Sequence, residues 1–334
     1  MADTIAILGA GAWGTALAII LARGGHRTIL AARRHQLLNQ LAGSRENATY
    51  LPNVAIPDTV EFTDSWSAAV GDASTIVMAI PSRYARSAMT QVASAIQPES
   101  ILVSATKGIE EDSLATMTAM LAEVAPTARA FAALSGPGFA AEVARGKPAA
   151  LVVASADEAA AREVQNLFAS PTLRVYRSAD VVGVELAGAA KNVIAIAAGI
   201  SDGLDLGSSA RAAVITRGLA EIARLIQAAG GKRETVMGLA GLGDLVLTCT
   251  GGLSRNRSLG MKIGREGRFE LASTHRDGAP VAEGIVNALS VRKLAQRHGI
   301  EMPIVKAVYR ALYEAEPPTA MVDELLTRAL KSEF

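Results

Sequence analysis

Lys191 interrupts VELAGAAKNVIAI (184–196), a run of small and apolar residues with the composition of a buried helix. A lysine ammonium loses much of its hydration energy on burial and seldom stays inside a protein without a partner. One reading has the side chain bending outward, keeping its head in water. The other has the chain holding an amine in a dry place. Burial and neighbouring cations then pull the amine's pKa toward working pH. Such a group can protonate a carbonyl oxygen that is gaining negative charge, or take a proton from a hydroxyl. Ala189 and Ala190 leave room for a small molecule beside it, and Asn192 offers that molecule a hydrogen bond.

GLAGLGDLVLTCTGGLSRN (238–256) contains the partners such an amine would need. Asp244 follows a glycine-rich loop at an expected helix start. There it can cap the helix, neutralise a buried Lys191 or accept hydrogen bonds from hydroxyls. Ser254, Arg255 and Asn256 put a hydroxyl, a guanidinium and an amide at a second helix start. That pattern is either an ordinary cap or a phosphate pocket, since arginine is a bidentate donor and a helix start presents free amides. Lys107, in ATKGI (105–109), follows an expected strand and is a candidate cation at the mouth of a sheet; the alternative is a solvent-exposed lysine. The four histidines, His26, His35, His275 and His298, form no closely spaced ligand set, so no metal centre is expected. Cys249 is the single cysteine; it has no histidine nearby and reads as packing.

Gly9, Gly11 and Gly14 form G-x-G-x-x-G in GAGAWG (9–14), directly after the strand-like TIAIL and at the start of a helical pattern. In that context the spacing predicts a dinucleotide site. The first glycine makes the tight turn, the second lets the backbone approach the pyrophosphate, and the third packs helix on sheet. The helix start adds amide donors and a favourable dipole. The next strand ends in AARRH (31–35), with Arg33 and Arg34 where an acidic residue would hold a ribose 2′-hydroxyl. Guanidinium groups match a 2′-phosphate, so NADP(H) is expected over NAD(H), which can still bind. Two solvated arginines after a strand are the plainer alternative.

These residues need a scaffold, and the hydrophobic pattern outlines one. TIAIL (4–8), RTILAA (27–32), STIVMAI (74–80), SILVSAT (100–106) and FAAL (131–134) are apolar runs of strand length. ALVVAS (150–155) and LRVYRS (173–178) add two strands at an edge. Helical patterns lie between them at 13–24, 83–96, 112–124 and 157–168, the last capped by Ser155. This alternation predicts an α/β fold with a doubly wound, Rossmann-type sheet over 1–180. Beyond residue 180 only helical patterns follow: 181–200, 209–229, 233–238, 244–251, 255–264, 282–298, 303–315 and 319–332. They predict an all-helical C-terminal domain over 181–334 that binds substrate, with the active site between the two.

Bulk properties narrow the function classes. Half of the 334 residues are hydrophobic and only 4% aromatic, so small aliphatic residues build the core. A formal charge of +1 gives no global reason to bind nucleic acid or an anionic membrane. The uncharged stretch 4–22 is long enough to cross a bilayer, but its three spaced glycines fit a strand and a nucleotide turn better. No membrane span is therefore expected, and a lone cysteine suits a reducing, cytoplasmic setting.

Together these segments resemble the bacterial-type NAD(P)-dependent glycerol-3-phosphate dehydrogenases. GAGAWGTALA (9–18), ATKGIE (105–110), LSGPGFAAEVA (134–144), ELAGAAKNVIAIAAG (185–199), GLAGLGDLVLTCTG (238–251), SRNRSLG (254–260) and VAEG (281–284) carry the resemblance in one order. It implies reversible reduction of dihydroxyacetone phosphate to sn-glycerol 3-phosphate for glycerophospholipid synthesis. Lys191 would be the proton donor or acceptor. Lys107, Gly136, Gly138, Asn192, Asp244, Ser254, Arg255 and Asn256 would lie around the substrate. Ala12, Trp13, Arg33, Arg34, Tyr50, Lys107, Ala140, Arg255, Val281 and Glu283 would match cofactor positions. Ala12 and Gly138 depart from the family, which often carries hydroxyl side chains there, so contacts at those places must come from backbone amides or be absent. A dehydrogenase of the 6-phosphogluconate or hydroxyacid type would not be expected to pair GLGDL with SRN, and a non-catalytic nucleotide sensor need not keep Lys191 and Asp244. The small-residue helices would suit a homodimer.

Overall fold

The computed structural model describes residues 3–269, 282–330 and 332. The apolar runs, most of them rich in Val, Ile or Thr, form one eight-stranded sheet with helices packed against it. Its strands are β1 (Thr4–Leu8), β2 (Arg27–Ala31), β5 (Val60–Thr63), β6 (Thr75–Met78), β7 (Ile101–Ser104), β8 (Ala130–Ser135), β9 (Ala149–Ser155) and β10 (Leu173–Ser178); β3 (Glu46–Asn47) and β4 (Leu51–Ala55) make a separate hairpin. The order is β10-β9-β8-β7-β6-β1-β2-β5. All neighbours are parallel except β8 and β9. The chain leaves β1 toward β2 on one side and returns to β6 on the other, which opens a crevice above the carboxyl ends of β1 and β6. GAGAWG lies there.

The rest of the described chain is helical. Its axis is the helix Val181–Gly203, packed by helices Gly207–Ala228, Asp244–Thr250, Arg255–Glu266, Gly284–Arg297 and Pro303–Tyr313. Eighteen of its residues, Lys191 among them, are buried. By length and apolarity this helix would pass as a membrane span, yet 89% of its apolar window is buried inside the protein. Its hydrophobicity therefore serves a core. A Cβ added at Gly199 would sit 2.1 Å from the Arg257 carbonyl oxygen, and one at Gly260 would sit 2.1 Å from that of Ile196. Glycine lets the two backbones touch here, and the contact sets where the helix Arg255–Glu266 begins.

Two buried carboxylates fasten helices together, Glu185 between the sheet half and the helical half and Glu221 within the helical half. Glu185, on the first turns of the central helix, accepts from the Thr118 amide at 3.0 Å and from the Thr118 hydroxyl, at the start of helix Met117–Val124. Burial pushes the Glu185 carboxyl up, against those hydrogen bonds. Glu221 accepts from the amides of Ile304 at 2.8 Å and Val305 at 3.3 Å, capping the helix Pro303–Tyr313.

Several elements differ from the sequence expectation. Helix Met117–Val124 starts five residues later than the pattern 112–124, because Leu114 takes a left-handed conformation, φ 61°, and the preceding segment forms turns. Ser155 does not cap the helix that follows. Its hydroxyl donates to the Phe131 carbonyl at 2.7 Å, and Asp157 caps instead by accepting from the Ala160 amide at 3.0 Å. The edge strand β5, the β3–β4 hairpin and the helices His35–Ser44, Trp66–Gly71 and Ala140–Ala144 were not expected; they are short and mostly half exposed.

Candidate active site

The Lys191 side chain does not bend outward. It is 7% exposed, and its Nζ donates to Asp244 Oδ1 at 2.9 Å and to the Thr248 hydroxyl at 2.7 Å. Lys107, arriving from the loop after β7, donates to the other oxygen, Asp244 Oδ2, at 2.6 Å, and to the Gly136 carbonyl at 2.9 Å. One carboxylate therefore joins a lysine from the sheet half to a lysine from the helical half. Burial lowers the Lys191 pKa, Asp244 opposes that shift, and the Lys107 charge adds to it. Burial alone would raise the Asp244 carboxyl; the two ammonium groups overcome it and hold the acid below its ordinary range. The result is a dry amine anchored on a carboxylate that the two ammonium groups keep ionised.

Local backbone explains how Asp244 gets there. Residues Leu239–Gly243 make a turn of π-helix before helix Asp244–Thr250, and the Gly243 amide donates back to the Gly238 carbonyl. Such wide turns are frequent at functional sites. Asp244 turns inward instead of capping its helix. Thr248, one helical turn on, donates its hydroxyl hydrogen to the Asp244 carbonyl at 2.6 Å and so offers Lys191 an oxygen.

The SRN segment sits beside this cluster, at the start of helix Arg255–Glu266. Ser254 Oγ is occupied as the cap, accepting from the Arg257 amide at 3.2 Å. Asn256 donates to Asn192 Oδ1 at 2.9 Å and accepts from the Gly284 amide at 2.9 Å, so its carboxamide is a strut between three helices. Asn192 keeps a weakly used amide, at 3.5 Å from the Gly188 carbonyl. Arg255 is exposed and makes no hydrogen bond or ion pair among the described residues. An anion here would meet the Arg255 guanidinium and the free amides of the helix start, while two of the three side chains keep the segment in place.

The glycine turn has the shape a pyrophosphate needs. Gly9 has φ +113°, and a Cβ there would lie 2.5 Å from the Ala79 carbonyl oxygen; a Cβ at Gly14 would lie 1.9 Å from that of Gly9. A Cβ at Gly11 would meet nothing within 4 Å, so the middle glycine faces open space. Helix Ala12–Arg23 has no side-chain cap and no acid in its first turn. Half-buried Trp13 carries an Nε1 hydrogen without a partner. These features fit a dinucleotide. Arg33 and Arg34 are both exposed beyond β2; Arg34 donates to the Tyr50 hydroxyl and stands 5.5 Å from the centre of its ring. Gly138 packs against the Trp13 ring, and Ala140 opens the helix Ala140–Ala144 next to it. Glu283 precedes the helix Gly284–Arg297, and its charge is felt at Lys191. Val281 lies outside the described residues.

Comparison with known proteins decides the family. The description NAD-dependent glycerol-3-phosphate dehydrogenase N-terminus matches residues 4–161, and the corresponding C-terminus matches residues 180–323. A protein of Geobacter sulfurreducens named glycerol-3-phosphate dehydrogenase (NAD(P)+) is 48% identical over 100% of this chain and 99% of its own length. The chain belongs to the NAD-dependent glycerol-3-phosphate dehydrogenase family. A crystal structure of glycerol-3-phosphate dehydrogenase from Coxiella burnetii superposes with a TM-score of 0.93 at 40% identity, covering 98% of this chain and 99% of that one. D-mandelate dehydrogenase, at 14% identity and TM-score 0.62, covers 97% of this chain and 100% of that one and shares the fold alone.

Within this dehydrogenase fold three residues escaped the sequence reading. Thr248 orients Lys191. Asn47 is fully buried in the β3–β4 hairpin; it donates to the Ala10 carbonyl at 3.0 Å and to the Thr15 hydroxyl at 2.8 Å, bracing the glycine turn. Asn287 bridges the two halves. Thr248 had a readable signal, four residues after Asp244 on one helix face. The two asparagines had none, since their partners lie far away in sequence.

Proposed function

We propose that the protein catalyses the NAD(P)H-dependent, reversible reduction of dihydroxyacetone phosphate to sn-glycerol 3-phosphate, with Lys191 as the general acid and base. The observation that carries this reading is the pair of lysines, one from each half of the molecule, on the single carboxylate of Asp244. A bound nicotinamide cofactor supplies or accepts hydride. Lys191 delivers the balancing proton to the carbonyl oxygen of the ketone and recovers it from the hydroxyl in the reverse direction. Asp244 keeps the ammonium in place, and Thr248 fixes its direction. Lys107 adds positive charge where the substrate oxygen becomes negative. Arg255 and the amides beside it take the phosphate, which leaves the three-carbon chain spanning from that helix start to Lys191.

For the cofactor, Arg33 and Arg34 support NADP(H) over NAD(H), because no acidic residue stands at the end of β2 to hold a ribose hydroxyl. Absorbance at 340 nm with dihydroxyacetone phosphate and each reduced cofactor tests the reading. Turnover is expected with NADPH. Lys191→Ala should lose turnover by about 10²–10⁴-fold while still binding cofactor. Near-normal turnover in that variant would remove Lys191 from the chemistry.

A further inference from the structure

Asn287 lies on the helix Gly284–Arg297, is 1% exposed, and is assigned no role by anything above except as a bridge. Its carboxamide nitrogen donates to two backbone carbonyls, that of Lys107 at 2.9 Å and that of Ala189 at 3.1 Å. One belongs to the sheet half and the other to the central helix, two residues before Lys191. The chemistry fixes the orientation of the amide, because a flipped group would set its oxygen against two carbonyl oxygens. The loop is pressed directly onto this side chain. A Cβ at Gly108 would lie 2.6 Å from Ser82 and 3.3 Å from Asn287 Oδ1, so glycine is what lets the 107–108 backbone reach the amide.

The contacts close a ring. Lys107 and Ala189 are joined through Asn287 on their backbone side, while Lys107 and Lys191 are joined through Asp244 on their side-chain side. We propose that Asn287 is a positioning residue, holding the two lysine-bearing backbones in register so that both ammonium groups meet on one carboxylate. It touches neither Lys191 Nζ nor Asp244, and it acts through the backbone of Lys107 and the helix at Ala189. A shift of about 1 Å between those backbones would lengthen the bonds of Lys107 and Lys191 to Asp244 and misplace the proton donor, an error that can cost on the order of 100-fold in rate. The inference rests on Lys191 carrying the proton.

The test uses the purified full-length protein carrying Asn287→Ala or Asn287→Asp. Four quantities are read: kcat for ketone reduction across pH, KM for dihydroxyacetone phosphate, NADPH affinity by fluorescence, and the unfolding midpoint. Asn287→Ala should lower kcat by about 10- to 100-fold and displace the basic limb of its pH profile by about half a unit or more, with NADPH Kd within about twofold of the parent. Asn287→Asp faces two carbonyls with a carboxylate and regains a donor only when protonated. Its kcat relative to Asn287→Ala should therefore climb as pH falls, which a merely structural role would not produce. Parental kcat and pH profile in the folded variants would overturn the proposal, as would losses that track only the amount of folded protein. If Lys191→Ala retains turnover, the proton-carrier assignment fails. If Lys191→Ala is dead while the Asn287 variants keep the parental profile, only the positioning role fails.

Discussion

Lys107 and Lys191 lie 84 positions apart in the chain and bind opposite oxygens of the Asp244 carboxylate, at 2.6 and 2.9 Å. Two cations and one anion in a nearly dry space leave a net positive charge where the sheet half meets the helical half. Lys191 and Asp244 are coupled, so an apparent pKa read from activity belongs to that buried pair.

The direction of pH dependence follows from Lys191. Burial holds its pKa below the ordinary 10.5. Ketone reduction needs the ammonium and should lose rate as pH rises through the apparent value, whereas alcohol oxidation should gain rate over the same interval. Lys107→Met removes a repelling charge, which raises the Lys191 pKa and moves both limbs to higher pH. Profiles of kcat in the two directions check this; a downward displacement in Lys107→Met contradicts it.

Asp244→Asn leaves two buried ammonium groups facing a neutral amide. Losing one partner of a buried ion pair typically costs about 3–5 kcal/mol. Thermal unfolding should therefore show a lower midpoint at pH 7, with part of the loss recovered in alkaline buffer as Lys191 gives up its charge. An equal loss in both buffers would mean that packing, not charge, holds the cluster.

Glu221 provides a stability test remote from the chemistry. Burial pushes its carboxyl up to about 7, against the two helix amides it accepts from. A carboxyl with a raised folded pKa is favoured in its neutral form. The stability it confers is complete below the ordinary 4.5 and is lost as pH rises from there to about 7. Glu221→Gln should remove that slope and, above pH 7, stabilise the protein by up to about 3 kcal/mol. Denaturant titrations at pH 5 and pH 8 measure it; a parental slope in the variant would refute the assignment.

The glycine turn separates folding from binding. Gly14→Ala forces a methyl to within 1.9 Å of the Gly9 carbonyl oxygen and should lower the unfolding midpoint. Gly11→Ala meets no protein atom within 4 Å. It should leave the midpoint unchanged and weaken NADPH by about tenfold or more, since a methyl would occupy the space left for the pyrophosphate. Equal midpoints for the two variants would contradict this division.

At the far end of the cofactor cleft, replacing Arg33 and Arg34 by neutral residues should weaken NADPH by about tenfold more than NADH, each charged contact being worth about 1.5–3 kcal/mol. Equal weakening, measured by fluorescence titration, would end the case for a 2′-phosphate contact.

The sequence disclosed the residues that declare themselves by type and neighbourhood. GAGAWG, a lysine among alanines and the run GLGDL stand out because each conflicts with its surroundings unless it has a task. The long apolar runs likewise gave seven strands of the main sheet. β5 and the short helices were illegible because they are brief and half exposed, so little of their hydrophobic pattern marks a buried face. Asn47 and Asn287 were harder still. An asparagine looks the same in a loop as in a buried strut, and only the fold shows which carbonyls it reaches. For Ser254 and Asn256 the sequence left a helix cap and a phosphate pocket both open; in the structure both side chains are engaged within the protein.

The contact of Gly199 with the helix Arg255–Glu266, and that of Gly203 with Gly264, work as a fulcrum for the leading end of that helix. Gly264 lies nine residues beyond Arg255, or about 13 Å along the axis. A single methyl at Gly264 would have to pass within 2.6 Å of the Ile200 carbonyl oxygen, so the helix must tilt and swing its leading end. Loss-of-function changes should accordingly gather along this remote seam, where no reactant ever arrives.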